Sequence, residues 1–213
     1  MRANSLRVLF ANDGGMKGGM KRIATSALAG VVALAMAAPA ARAQDGERAH
    51  LGVDRFGSFL SWAWTDHGRH GHEIGADLDI GSIFSPRFRL AVGLNYFHAD
   101  IDRRDHLGDP VDGTFHDFSL HAEASYEIVR IGRLGPYVGA GVGVHWRGSD
   151  IDDDIDDTAR LYRGAVVGGD FFGGTTFALT KSRRYSLYAE GRRVEAQNVE
   201  RSLARLGIII RFR

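Results

Sequence analysis

From about residue 51 to residue 212, apolar and polar side chains alternate with a period of two, and the polar set carries full charges in the middle of its runs. In FHDFSLHAEASYEI, Phe118, Leu120, Ala122, Ala124, Tyr126 and Ile128 share one face, and Asp117, Ser119, His121, Glu123, Ser125 and Glu127 share the other. PYVGAGVGVHWRG sets Val138, Ala140, Val142, Val144 and Trp146 against Tyr137, Gly139, Gly141, Gly143 and His145. Such alternation marks strands with two chemically different faces. It predicts eight of them, at about 51–65, 72–84, 88–101, 115–130, 136–148, 161–179, 184–195 and 202–212. No helical period of useful length competes.

The chemistry of the two faces decides the solvent. A soluble barrel is apolar inside and wet outside, and a membrane barrel inverts this. Here the polar faces hold Glu73, Asp77, Asp79, Glu123, Asp170, Glu190, Arg192 and Arg205, interleaved with glycine, while the apolar faces are uniform. A basic side chain facing lipid at the bilayer midplane costs roughly 2–4 kcal/mol, so its absence from the apolar faces is informative. An eight-stranded barrel has an interior just wide enough for side chains to fill it, and charges survive there only when paired. The fold expected is therefore all-β: an eight-stranded antiparallel up-and-down transmembrane β-barrel, monomeric, with those eight residues forming a lumenal charge network.

Loop lengths and aromatic placement agree with that reading. Short connections (85–87, 131–135, 180–184) alternate with longer polar ones (66–71, 102–114, 149–160, 196–201). With both termini periplasmic, Phe56, Phe84, Phe88, Tyr126, Phe177, Tyr185 and Phe212 fall near the short turns. Trp62, Trp64, Tyr96, Phe118 and Trp146 fall near the long loops. Two interfacial aromatic belts are expected of a membrane barrel.

The first 43 residues read separately. Met20 opens a segment with Lys21 and Arg22, a small-residue apolar stretch to about Ala38, and Ala41 and Ala43 at the small positions of an A-x-A site. That is the layout of a cleavable signal peptide. Residues 1–43 are taken as an N-terminal extension and leader, and residues 44–213 as the barrel domain. The leader removes six of 27 basic and one of 26 acidic side chains, so the net charge passes from +1 to −4. A nucleic-acid partner, which needs a basic face, is not expected. Cysteine is absent, which excludes disulfides and thiolate metal sites.

The last strand, RLGIIIRFR, ends in an aromatic followed by Arg213. With the leader, the eight amphipathic segments and the alternating loops, it resembles the small outer-membrane β-barrel proteins of the OmpA-transmembrane-domain and OmpX type. The resemblance covers the whole mature chain and implies a bacterial outer-membrane location. It also implies that Arg205, Gly207, Ile210 and Phe212 match the C-terminal signal read by the outer-membrane insertion machinery. Outer-membrane lipid and lipopolysaccharide are the remaining partners it implies. Arg213 departs from the usual pattern, in which the aromatic is last.

Three constellations invite a chemical role. His67, His70 and His72, with His98, His106, His116 and His145, map to the long-loop rim, but their spacing matches no defined metal motif. Asp150, Asp152, Asp153, Asp154, Asp156 and Asp157 crowd one loop, yet an EF-hand count from Asp150 meets Ile155 and Leu161 where Gly and Glu are required. Ser119, His121 and Glu123 bring to mind lipid-A deacylase barrels, but same-face neighbours sit roughly 6.5–7 Å apart, and the face points inward. The deacylases' His-x-Ser order is also absent. No catalytic residue, metal or cofactor is expected. The function expected is a structural or surface-interaction role for the loops, with a narrow channel for ions or small solutes second and a lipid-modifying enzyme third.

Overall fold

The computed structural model describes residues 49–65, 70–104, 110–149, 164–197 and 199–212. Eight strands form: β1 (Leu51–Thr65), β2 (His70–Ser82), β3 (Phe88–Arg104), β4 (Pro110–Glu127), β5 (Leu134–Ser149), β6 (Gly164–Ala178), β7 (Tyr185–Ala196) and β8 (Val199–Arg211). Each pairs antiparallel with its sequence neighbours, and β8 closes on β1. Closure removes both sheet edges, which is what backbone amides need where no water can bond them.

All eight predicted segments are strands, and the differences lie at their ends. The β3–β4 ladder continues to Arg104↔Pro110, well into the expected loop 102–114. The expected loop 196–201 is instead a tight reversal, with Ala196 paired to Val199. Above the hydrocarbon layer the outward face need not be apolar, so the alternation fades while the hydrogen-bonded ladder persists. At the other end β2 stops at Ser82 rather than 84, and β4 at Glu127 rather than 130. Reversals there are short, closed for example by Ile83 N–H donating to Phe88 O (3.1 Å).

Every strand exposes a large aliphatic side chain: Leu60, Ile74, Leu94, Leu120, Val142, Val167, Leu187 and Leu206 are 43–70% exposed. An apolar belt running right round the molecule far exceeds the patches a water-soluble monomer tolerates. Trp62, Trp64, Tyr96, Phe118 and Trp146 are exposed toward the long-loop end, and Phe56, Phe84, Phe177, Tyr185 and Phe212 toward the short-turn end. Phe88 and Tyr126 are the exceptions: Phe88 is buried beside Phe84 (ring centroids 6.2 Å), and Tyr126, its register partner, is half-buried.

The core is the lumen, and it is not uniformly polar as the alternation suggested. Ala63, Phe97, Ala99, Phe115, Val194 and Leu203 form a buried apolar cluster inside its long-loop half. Charged groups pack beside and below it, with Glu73, Asp117, Arg201 and Arg205 among the least exposed of the described side chains. Large lumenal groups fit because their neighbours are small. A Cβ at Gly139 would collide with the Phe172 ring, and one at Gly207 with the Tyr188 ring.

The outward face makes a direct prediction. Val142→Arg, on the outward face near the middle of β5, should lower the unfolding free energy in lipid vesicles by about 2–4 kcal/mol, measured by reversible denaturant titration.

Candidate functional site: a cross-braced lumen

Three arginines organise the lumen. Arg205 on β8 donates to Glu73 Oε1 on β2 (2.8 Å) and lies 3.5 Å from Glu190 Oε1. Arg201, four residues higher on the same face, donates to Glu73 Oε2 (3.2 Å) and Asp117 Oδ2 (2.6 Å). Arg192 on β7 donates to Glu123, to Asp170 Oδ1 (3.1 Å) and to Glu190 Oε1 (2.9 Å). Each guanidinium also lies over an inward aromatic ring. Arg205 is 3.6 Å from the Phe59 centroid, Arg192 4.2 Å from Phe172, and Arg201 4.4 Å from Phe97. A planar cation with several donors can bond carboxylates at its edge and stack on a ring at its face. Arginine therefore fills both the charge and the volume requirement of a narrow dry barrel.

Histidines extend the network. His145 Nδ1 lies 2.9 Å from Asp117 Oδ2. His121 Nε2 lies 2.9 Å from Glu123 Oε1 and 3.2 Å from Asp77 Oδ1. Asp77 and His121 meet although β3 runs between their strands, because Gly93 is the β3 residue paired with both. A Cβ at Gly93 would collide with the Asp77 carboxylate and the His121 ring. Tyr137 on β5 donates its hydroxyl to Glu190 Oε2 (3.0 Å).

Of the eight expected network residues, seven join this central system: Glu73, Asp77, Glu123, Asp170, Glu190, Arg192 and Arg205. Asp79 instead belongs to a second cluster nearer the short turns, where Arg89 binds it bidentately (2.5 and 2.8 Å) and also donates to Asp54 (2.6 Å). Arg55 stands 3.7 Å from the same Asp79. Sequence reading missed Arg201, Asp117 and the stacking aromatics. Arg201 lies in the polar stretch 196–201, which the sequence predicts to be a loop, and only its register opposite Thr65 and Val194 reveals it as lumenal.

Gly207 sits under the Tyr188 ring, Ile210 pairs with Phe56 and Tyr185, and Phe212 is exposed while its N–H donates to Asp54 O (2.8 Å). His72, His98 and His116 occupy one register row on the outer surface, with His98 and His116 Nδ1 atoms 3.3 Å apart. His70 is exposed at the start of β2, whereas His145 points inward. Ser119 Oγ has no hydrogen-bond partner, and His121 turns to the two carboxylates rather than to it. His67, His106 and the aspartates of 150–157 lie outside the described residues.

A closed β-barrel with an apolar exterior, two aromatic rims and an ion-paired lumen defines a transmembrane β-barrel. No family model and no curated protein matches the sequence. Among solved structures, it is similar to Neisserial surface protein A, with 18% identity over 78% of this chain and 100% of that one, at a TM-score of 0.53. Further similarities are to the outer membrane protein OprG from Pseudomonas aeruginosa and to Ail, the attachment invasion locus protein of Yersinia pestis. OprG shares 12% identity over 76% of this chain and 94% of its own, at a TM-score of 0.49. Ail shares 13% over 76% and 99%, at 0.45. The chain thus has the fold of the small eight-stranded outer-membrane β-barrels.

Glu73 tests the network. Glu73→Gln leaves Arg201 and Arg205 without their shared carboxylate, and removing one member of a buried ion pair costs about 3–5 kcal/mol. The expected result is a loss of that size in denaturant unfolding, with the barrel still closing at low denaturant.

Proposed function

We propose that this protein is a plugged barrel of the bacterial outer membrane, with short turns and both termini periplasmic, serving a structural or surface-interaction role. Its contacts are with outer-membrane lipid and lipopolysaccharide around the belt, and with surface ligands at the long-loop end. The observation that carries this reading is the state of the lumen. Arg192, Arg201 and Arg205 cross it with paired carboxylates, and the Phe97–Phe115 cluster caps it on the long-loop side. A barrel filled in this way offers its loops and its rigidity rather than a passage.

One feature favours a second reading, a narrow channel. A cavity of about 120 Å³ enters the short-turn half and reaches Asp77, Glu123 and Glu190. For conduction, the apolar cluster and the Arg201 contacts beside it both have to move.

Planar-bilayer recording separates the two. The expected outcome is no discrete opening across a wide voltage range for the native barrel, and small openings once Phe97→Ala and Arg201→Ala are combined. Regular openings in the native protein establish the channel instead.

A further inference from the structure

The lumenal network is not electrically balanced. Glu73, Asp77, Asp117, Glu123, Asp170 and Glu190 are linked to one another through Arg192, Arg201, Arg205 and the two histidines. Six carboxylates face three guanidinium groups, so three negative charges are unmatched by arginine, and one remains unmatched even with both imidazoles protonated. Uncompensated charge in a low-dielectric interior is costly. The excess draws a cation to wherever the donors are best arranged.

That place is the contact of Asp77, His121 and Glu123. One donor atom from each lies within 4.8 Å of the other two, with His121 Nε2 at 2.9 Å from Glu123 Oε1 and 3.2 Å from Asp77 Oδ1. Donors around a tetrahedral zinc ion, at bonds of about 2.0–2.2 Å, lie roughly 3.3–3.5 Å from one another, so small shifts bring this triangle to size. Imidazole with two carboxylate oxygens is a donor set suited to zinc and its neighbours in the first transition row. Arg192 also holds Glu123, but it has Asp170 and Glu190 as further acceptors and keeps them if that oxygen is shared.

A second observation points the same way. Asp77 and Glu123 line the cavity of about 120 Å³ that enters from the short-turn half, so the donors are reachable and space for a fourth ligand adjoins them. Tyr188 lines the same cavity, is only 7% exposed, and its hydroxyl has no hydrogen-bond partner. A phenol in that position can bond a metal-bound water, the usual fourth ligand of an open three-residue zinc site.

We infer that Asp77, His121 and Glu123 form a divalent transition-metal site, with zinc the best-fitting ion, built inside the barrel and loaded through the short-turn opening. The ion bridges β2 and β4 across Gly93 and neutralises two of the surplus charges.

The test uses the mature barrel folded in detergent and freed of metal by chelation. Zinc is titrated by calorimetry, and cobalt is added in parallel for its tetrahedral absorption spectrum. The expected result is one zinc per barrel and a tetrahedral cobalt spectrum. Asp77→Asn and His121→Gln should each weaken zinc by at least about tenfold. Replacing the rim pair, His98→Gln with His116→Gln, should leave affinity unchanged. Heat-modifiable gel migration identifies the folded variants, and Asp77, at the cavity wall, is the substitution least able to disturb the barrel. Absence of stoichiometric zinc in the native barrel overturns the inference. So does affinity that survives in folded Asp77→Asn, or that disappears with the rim histidines.

Discussion

Glu73 meeting Arg201 and Arg205 is the contact on which the rest of the lumen depends. It joins β2 to β8 across β1, at the seam where the two ends of the sheet close into a cylinder. β1 permits this because it places Ser61 between them, paired in register with Glu73 on one side and Arg205 on the other. The same device recurs. Gly93 lets Asp77 on β2 reach His121 on β4, and Gly141 on β5 stands in register between Glu123 on β4 and Asp170 on β6. In a cylinder this narrow, a long side chain on one strand requires a small one beside it. The alternation of glycine and charge along the polar faces is the sequence form of that steric rule.

This explains what could be read from the chain and what could not. The eight strands, their inward and outward faces and the two aromatic rims follow from period two alone, because lipid rewards an unbroken apolar face and rejects charge. Pairings do not follow. Arg205 meets Glu73 across 132 positions, a consequence of barrel stagger rather than of any local pattern. Asp79 left the expected network for the same reason, since it lies two residues further toward the short turns than Asp77 and meets the Arg89 row. Ile209, which breaks the alternation of the last strand by facing inward among arginines, lines the short-turn cavity beside Arg55 and Gly57, where a neutral side chain sits among charges.

The lumen is graded along the barrel axis. The Phe97–Phe115 cluster closes the long-loop half, the arginine network fills the middle, and the cavity with the Arg89–Asp79–Asp54 cluster occupies the short-turn half. Among the described residues, the cavity opens at the short-turn end. Lumenal chemistry at that end falls to groups that the cavity reaches. Asp77, Glu123, Tyr188 and Glu190 satisfy that condition, whereas Ser119 and Asp117 do not border the cavity.

In the final strand, Arg205 and Gly207 each have a duty inside the barrel. Arg205 stacks on Phe59 and holds Glu73, and Gly207 leaves room for the Tyr188 ring over its backbone. Covering a strand glycine with a cross-strand aromatic is a means of pinning register, and here it fixes β8 against β7, the strand that carries Arg192. A substitution at either position therefore acts on the closed barrel itself, at the seam where β8 meets its neighbours.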